Sequence, residues 1–337
     1  MSKVSTIGID LAKHVFQLQG NDAQGRCCFT RRLKREELLP FLAQQPAALV
    51  AMEACGGAHY WARQIKALGH EVKLLHPRHV KPFVQVHKND ARDAAAIAEA
   101  AVRPAIPAVA CKAEVQLDLQ MLHRVRDRLV RERVAIGNEL RAVLAEQGVV
   151  ISRGHAAVRH QVPLILEDGE NGLSPLCRRL VADLREQWLE REERIAAYDR
   201  DVARLARELA VCKRLQEVPG IGPINATLLY AYAGDARHYA SGRHLSASLG
   251  LVPRQHATGG RERLLGISKQ GNKHLRRQLV HGARAAYRQL AGRSDSRLAR
   301  WMAGLGDKHV NKVVVALANK LARIAWVIMA RETSYQP

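Results

Sequence analysis

Four carboxylates stand out in a chain of 337 residues whose formal net charge is +21: Asp10, Glu53, Asp90 and Asp93. Asp10 closes the apolar run 4–9, and Glu53 closes the run 48–52. Asp90 and Asp93 open the Ala-rich stretch 90–101, where helical spacing places both on one face. Acids gathered this way repel one another until cations neutralise them, and an all-oxygen ligand set suits Mg²⁺ or Mn²⁺. Beside so much positive charge, the chemistry such a centre supports is metal-assisted attack on phosphodiesters, with two ions per site. Singly, each acid has a plainer use: Asp90 as a helix N-cap, Asp93 as a first-turn acid, Glu53 as a solvated loop residue. Their joint placement at strand ends and one helix start favours the metal centre.

A sheet with helices on its faces is needed to hold them. Strand-like runs fall at 4–10, 14–20, 26–31, 47–53 and 71–75, and helical patterns at 35–45, 57–69 and 90–102. Three early strands followed by strand–helix alternation predict a mixed α/β sheet. Arg103-Pro104 and Ile106-Pro107 end the last of these helices and open a linker. Beyond about 113 the pattern is long and helical. Val115, Leu122, Leu129, Ile136 and Val143 recur every seven residues, as do Val181, Trp188, Ile195, Val202 and Leu209. Such heptads predict helix-on-helix packing, as a hairpin within one chain or as a coiled coil between chains, with 148–175 as the loop between the two series. The remainder is mainly helical, starting near 212. The domains expected are therefore 1–112, 113–211 and 212–337.

Lys and Arg number 53 against 32 acids, and residues 253–300 alone hold twelve basic residues with two acids, Glu262 and Asp295. That unevenness points to a polyanion as partner. Nucleic acid is expected rather than a membrane, since no apolar run reads as approaching a membrane span. Aromatic content of 4% argues against base stacking as the main binding mode. Six cysteines without a C-x-x-C, and no Cys/His zinc spacing, predict reduced thiols in the cytoplasm, as does the absence of a signal-peptide pattern.

Two further segments carry candidate contacts. Gly220-Ile221-Gly222-Pro223-Ile224-Asn225-Ala226 matches G-x-G-x-x-A, but a helical heptad precedes it where a dinucleotide-binding unit needs a strand. A helix-hairpin-helix turn fits better, with Gly220 and Gly222 letting backbone N–H groups approach a phosphate; a plain interhelical turn is the alternative. The second segment, Gly250 to Gly260, sets Thr258 before two glycines and among Arg254, Arg261 and Arg263. Its residues alone fit either a hydroxyl nucleophile among phosphate-binding cations or a basic nucleic-acid contact loop.

Six blocks in order resemble the transposases of the IS110 family, most closely its IS1111 group, across nearly the whole chain. They are Ile7-Gly8-Ile9-Asp10-Leu11-Ala12-Lys13, Met52-Glu53-Ala54-Cys55-Gly56, Lys88-Asn89-Asp90-Ala91-Arg92-Asp93-Ala94, Val218-Pro219-Gly220-Ile221-Gly222, Gly250-Leu251-Val252-Pro253-Arg254-Gln255-His256 and Gly271-Asn272-Lys273-His274-Leu275-Arg276. The resemblance implies a RuvC-like domain of ribonuclease H fold whose D-E-D-D quartet falls on Asp10, Glu53, Asp90 and Asp93. It further implies a coiled-coil dimerisation element and a C-terminal transposase domain supplying a serine nucleophile. Family members recombine donor and target DNA under a structured noncoding guide RNA, as homodimers that assemble into tetramers. A bacterial, nucleoid-associated location in the cytoplasm follows. One departure stands out: the family's serine position is Thr258 here. Threonine keeps a hydroxyl, but its β-branch restricts χ1 and crowds attack on phosphorus. Ser246, Ser248 and Ser268 are nearby hydroxyls that match the block less well.

The expected reaction is Mg²⁺-dependent strand cleavage and exchange through Thr258, with Arg254, Arg261, Arg263, Lys273, Arg276 and Arg277 holding nucleic-acid backbone. The alternatives are a metal-dependent Holliday-junction-type nuclease using water, and a catalytically weakened RNA- and DNA-binding scaffold.

Overall fold

The computed structural model describes residues 3–84 and 90–337, with the side chain of Asp90 outside the described set. The chain divides into two compact units, Met1–Glu114 with Ala233–Ala240, and Val115–Tyr232 with Ser241–Pro337.

The first unit is built on strands β1 (Thr6–Asp10), β2 (Val15–Asn21), β3 (Cys27–Lys34), β4 (Leu49–Glu53), β5 (Glu71–Leu75) and β6 (Ala108–Val109), in the order β3-β2-β1-β4-β5-β6. Strands β1, β2 and β3 form an antiparallel meander, β4 and β5 run parallel to β1, and β6 is antiparallel to β5. Helices α1 (Leu38–Ala43), α2 (Ala58–Ala67), α3 (Pro77–Val80) and α4 (Asp90–Ala101) complete it.

Period-two alternation sorts the strand residues between two faces. Ile7, Ile9, Val50 and Met52 point to one, where they pack with Leu38, Leu42, Trp61 and Ile65 of α1 and α2. Ala51 and Leu75 point to the other, packing with Ala96, Ile97 and Ala100 of α4. The five strands read from alternation are present. The two-residue β6 lies where a linker is expected, since a stretch that short carries no periodicity.

The second unit contains α5 (Glu114–Glu146), α6 (His155–Glu167), α7 (Pro175–Glu208), α8 (Ala210–Gln216), α9 (Pro223–Ala233) and α10 (Gly242–Ser248), apart from the end residues Glu114 and Ala233. It continues through the hairpin β7 (Pro253–Thr258) and β8 (Arg261–Ile267) to α11 (Lys273–Leu290), α12 (Arg297–Ala303) and α13 (Val310–Arg331). Of the heptad series, Leu129, Ile136, Val181, Trp188, Ile195 and Val202 are buried. Val115, Leu122, Val143 and Leu209 are half-buried instead. Helices α5 and α7 pack within one chain, joined by Arg126–Asp199 at 2.6 Å and by the pair Arg133–Glu192. Residue numbers rise along one helix as they fall along the other, so the two are antiparallel.

Three findings correct the sequence reading of this unit. The segment 148–175 is not a plain loop, because α6 forms inside it. Val158 and Val162, one turn apart, anchor that helix in the core shared by α5 and α7. The segment 253–267 is a β-hairpin within a region read as mainly helical. Finally, α13 is by length and composition apolar enough to cross a membrane, which spaced cations such as Lys320 and Arg323 disguise in a linear reading. Its stripe Val314, Leu317, Leu321, Ala325 and Ile328 is buried, and the helix packs against α8, α10 and α11 as the core of its unit.

Candidate active site and nucleic-acid interface

Strand register brings the first two acids together. Ile9 pairs with Met52 across the parallel β1–β4 ladder, so Asp10 and Glu53 follow side by side at the carboxyl ends of adjacent strands. Their parity matches Gly8 and Ala51, which directs both toward the face covered by α4. That helix lies unusually close to the sheet. A β-carbon on Gly8 would run into the carbonyl oxygen of Ala94 and stand 2.6 Å from the Ala98 nitrogen. Glycine in β1 and alanines in α4 therefore set the height of the helix, and its first turn carries Asp93 above the strand ends.

The charges respond to this placement. The Glu53 carboxyl is pushed above its ordinary range by burial, with the negative charges of Asp10 and Asp93 adding to the effect. Burial also raises the neighbouring Cys55 thiol, and Glu53 and Asp10 push the same way. Asp10, Glu53 and Asp93 are each half-buried. Among the described residues no three His, Cys, Asp or Glu side chains gather at ligand spacing. Glu53 thus feels both Asp10 and Asp93, and the expected fourth ligand, Asp90, lies outside the described side chains. All-oxygen donors under mutual repulsion are the chemistry that fits a hard divalent cation.

The remaining candidates lie in the second unit. Thr258 is the last residue of β7, exposed, and pairs with Arg261 across a two-residue turn of Gly259 (φ 56°) and Gly260 (φ 75°). Both turn residues sit in the left-handed region that a type I′ hairpin requires. His256 pairs with Arg263, so His256, Thr258, Arg261 and Arg263 share one face of the ribbon, while Gln255, Ala257, Glu262 and Leu264 share the other. Arg254 sits where the register shifts, between Pro253 and Gln255. Two of the competing hydroxyls are engaged: Ser246 is buried and accepts from Asn319 Nδ2 at 2.7 Å, and Ser248 donates to the Leu245 carbonyl at 2.8 Å, while Ser268 accepts from the Gln270 backbone N–H at 3.5 Å.

Gly220 (φ 91°) packs against α11, where a β-carbon would meet the Gly282 carbonyl oxygen at 2.7 Å, whereas Gly222 before α9 faces open space. Of the α11 cations, Lys273 is exposed. Arg276 donates to the carbonyls of Leu249 at 3.0 Å and Gln270 at 2.7 Å, tying the helix start to the segment before it. Arg277 pairs with Asp127 of α5, which His274 also reaches at 3.1 Å. Nearby, His123 meets the Thr227 hydroxyl at 2.9 Å, and burial together with His274 and Arg126 pushes its imidazole down to about 3. Asp127 and His123 carried no signal in the sequence, because lone polar residues in a long charged helix read as its solvated face.

Comparison with known proteins settles the lineage. A model of the DEDD transposase domain matches residues 7–148, and one of the transposase IS116/IS110/IS902 family matches 212–299. A probable family 20 transposase of Pseudomonas aeruginosa is 47% identical over 336 residues, covering 99% of each chain. The chain belongs to the IS110/IS116/IS902 family of transposases. The transposase for insertion sequence element IS1111A of Coxiella burnetii is 42% identical over 337 residues, 100% of this chain and 92% of its own. That for IS1328 of Yersinia enterocolitica is 44% identical over 336 residues, 99% of both. This insertion-sequence transposase accordingly acts on DNA, and its DEDD domain points to dependence on a divalent metal.

Proposed function

We propose that this transposase cleaves and exchanges DNA strands in a divalent-metal-dependent reaction guided by a structured noncoding RNA from its own element. The observation that carries the reading is the convergence of Asp10 and Glu53 on the α4 face of the sheet, with the Glu53 carboxyl raised by burial and by Asp10 and Asp93. The strand order, with an antiparallel meander beside parallel β1, β4 and β5, supports a ribonuclease H-like, RuvC-like fold for the first unit. Asp10, Glu53, Asp90 and Asp93 would hold Mg²⁺ or Mn²⁺, two ions per site. Bound there, the ions supply positive charge to a scissile phosphate and its leaving oxygen.

Thr258 is the nucleophile in this reading. Its hydroxyl oxygen bonds to phosphorus as the bond to the departing DNA oxygen breaks. The hydroxyl proton is lost, the departing oxygen gains one to leave as a free hydroxyl, and the resulting phosphoester keeps the energy needed to rejoin strands. Arg261 and Arg263, on the same ribbon face, neutralise the phosphate, and Arg254, Lys273 and the backbone at Gly222 add backbone contacts. Gly220, Arg276 and Arg277 act by holding the turn and the start of α11 in place. Residues 1–112, 113–211 and 212–337 serve as nuclease, assembly and transposase regions, with the long helices supporting a homodimer and then a tetramer on donor and target DNA.

End-labelled element DNA tests this. Mg²⁺-dependent cleavage with a denaturation-resistant protein–DNA adduct supports the reading. Free 5′-phosphate ends without adduct indicate the hydrolytic nuclease, and binding without cleavage indicates a scaffold. RNA sequenced from the purified protein tests guidance: one structured species from the element is expected, and a random pool contradicts it.

A further inference from the structure

One flank of α13 carries a feature that neither the carboxylates nor the hairpin uses. Lys320, Ile324, Val327 and Arg331 recur at helical spacing and form one stripe that flanks the buried one. A cavity of about 410 Å³ opens on the α12 side of this stripe, lined also by Arg297 and by the C-terminal residues Thr333 to Gln336. A second, of about 470 Å³, opens on the α10 side and is lined also by Arg243, Arg323 and Trp326. Lys320, Ile324 and Val327 line both cavities, so the two form a groove astride the helix.

Its chemistry is one-signed. Five cations rim the groove (Arg243, Arg297, Lys320, Arg323 and Arg331), and among the described residues no Asp or Glu lines either cavity. The Lys320 ammonium is held 5.3 Å above the Trp301 ring, which keeps it at the rim. The floor is apolar, made by Ile324, half-buried, and Val327, 37% exposed. Trp326 lines the α10-side cavity, while Trp301 lies under the Lys320 ammonium. A cationic rim over an apolar floor, with Trp326 lining one side, matches a strand whose phosphates and unpaired bases are both accessible. In a duplex the base faces are stacked away, and the floor would stay uncovered.

We propose that the groove astride α13 binds single-stranded nucleic acid, with phosphates on Arg243, Arg297, Lys320 and Arg323 and bases on Ile324 and Val327. The inference rests on this chain acting on nucleic acid, as proposed above, and not on the roles of Thr258 or the carboxylates. Such a site gives a DNA strand displaced during exchange a place to lie while it is out of a duplex.

The test is fluorescence anisotropy on the full-length protein, with a labelled oligo(dT) of about twelve nucleotides and a duplex of matching length. The variant Lys320→Ala/Arg323→Ala is expected to bind oligo(dT) about tenfold more weakly, with the slope of log K against log salt reduced by about 1.4. Duplex binding should be little changed. Arg261→Ala/Arg263→Ala on the hairpin should show the reverse pattern. Arg243→Glu, on a different helix at an exposed position, serves as the second groove variant and should weaken oligo(dT) binding even if the α13 variant folds poorly. Unchanged oligo(dT) affinity and salt slope in folded groove variants would overturn the proposal while leaving the hairpin reading intact. Failure of the unaltered protein to bind either probe would instead defeat the nucleic-acid function itself. A lower molar mass by light scattering, with oligo(dT) affinity unchanged, would identify the groove as a contact between copies of this chain and likewise overturn it.

Discussion

Gly8 in β1 lies directly under Ala94 of α4, close enough that a single added methyl group would strike the Ala94 carbonyl oxygen. One residue before Ala94 is Asp93, and two after Gly8 is Asp10. The contact therefore fixes how near the acid on the helix comes to the acids on the strands. Gly8→Ala should lift the start of α4, costing about 1–3 kcal/mol of stability and roughly tenfold or more in cleavage. Denaturant melts and a single-turnover cleavage assay check this. Normal cleavage in a destabilised variant would separate the packing role from the site.

Glu53 gives a pH signature. A carboxyl raised above its ordinary value of 4.5 holds its proton more readily in the folded chain than in the unfolded one. Metal-free stability should therefore fall as pH rises from about 4.5 through the folded value. Divalent ions remove the repulsion, so added Mg²⁺ should restore stability at neutral pH and have little effect under acid conditions. Glu53→Gln should melt no lower than the unaltered protein without metal and should lose the Mg²⁺-induced rise. Thermal melts across pH, with and without Mg²⁺, decide it.

Alternation made the first unit legible. Apolar runs ending in Asp10 and Glu53 read as strands, and the Ala-rich stretch after Asp90 read as a helix, because one-sided burial writes its period into the chain. The hairpin was less visible. Thr258-Gly259-Gly260-Arg261 contains the two-glycine signal of a type I′ turn, but its strands bury nothing, so no hydrophobic pattern flanks the turn. Helix α6 was masked by the Gly and Pro residues around and within it. The engagement of Arg276 and Arg277 could not be read at all, since their partners, Gln270, Leu249 and Asp127, are set by tertiary packing. A linear count treats every arginine in 253–300 as equally free.

The hairpin face makes a salt prediction. Removing Arg261 and Arg263 together should weaken duplex binding about tenfold near 0.1 M salt and reduce the salt slope by about 1.8. Glu262→Ala, on the opposite face, should leave the slope within error. Equal effects from both faces would contradict the one-sided ribbon.

Threonine at 258 leads to an unusual expectation for an active-site change. Thr258→Ser removes the β-methyl and frees χ1, which should raise strand transfer about fivefold, of the order of 1 kcal/mol. Thr258→Ala should abolish transfer while leaving DNA affinity within about twofold, as expected for a group that contributes to the reaction rather than to binding. Time courses of joined product, run beside anisotropy, measure both.

Mass spectrometry of the protein–DNA adduct tests the central claim most directly. After reaction in Mg²⁺ and nuclease trimming, the nucleotide remnant should map to Thr258 in the unaltered protein, and no adduct should form with Asp10→Asn. A remnant on Ser246, Ser248 or Ser268, or full cleavage with no remnant anywhere, would contradict it.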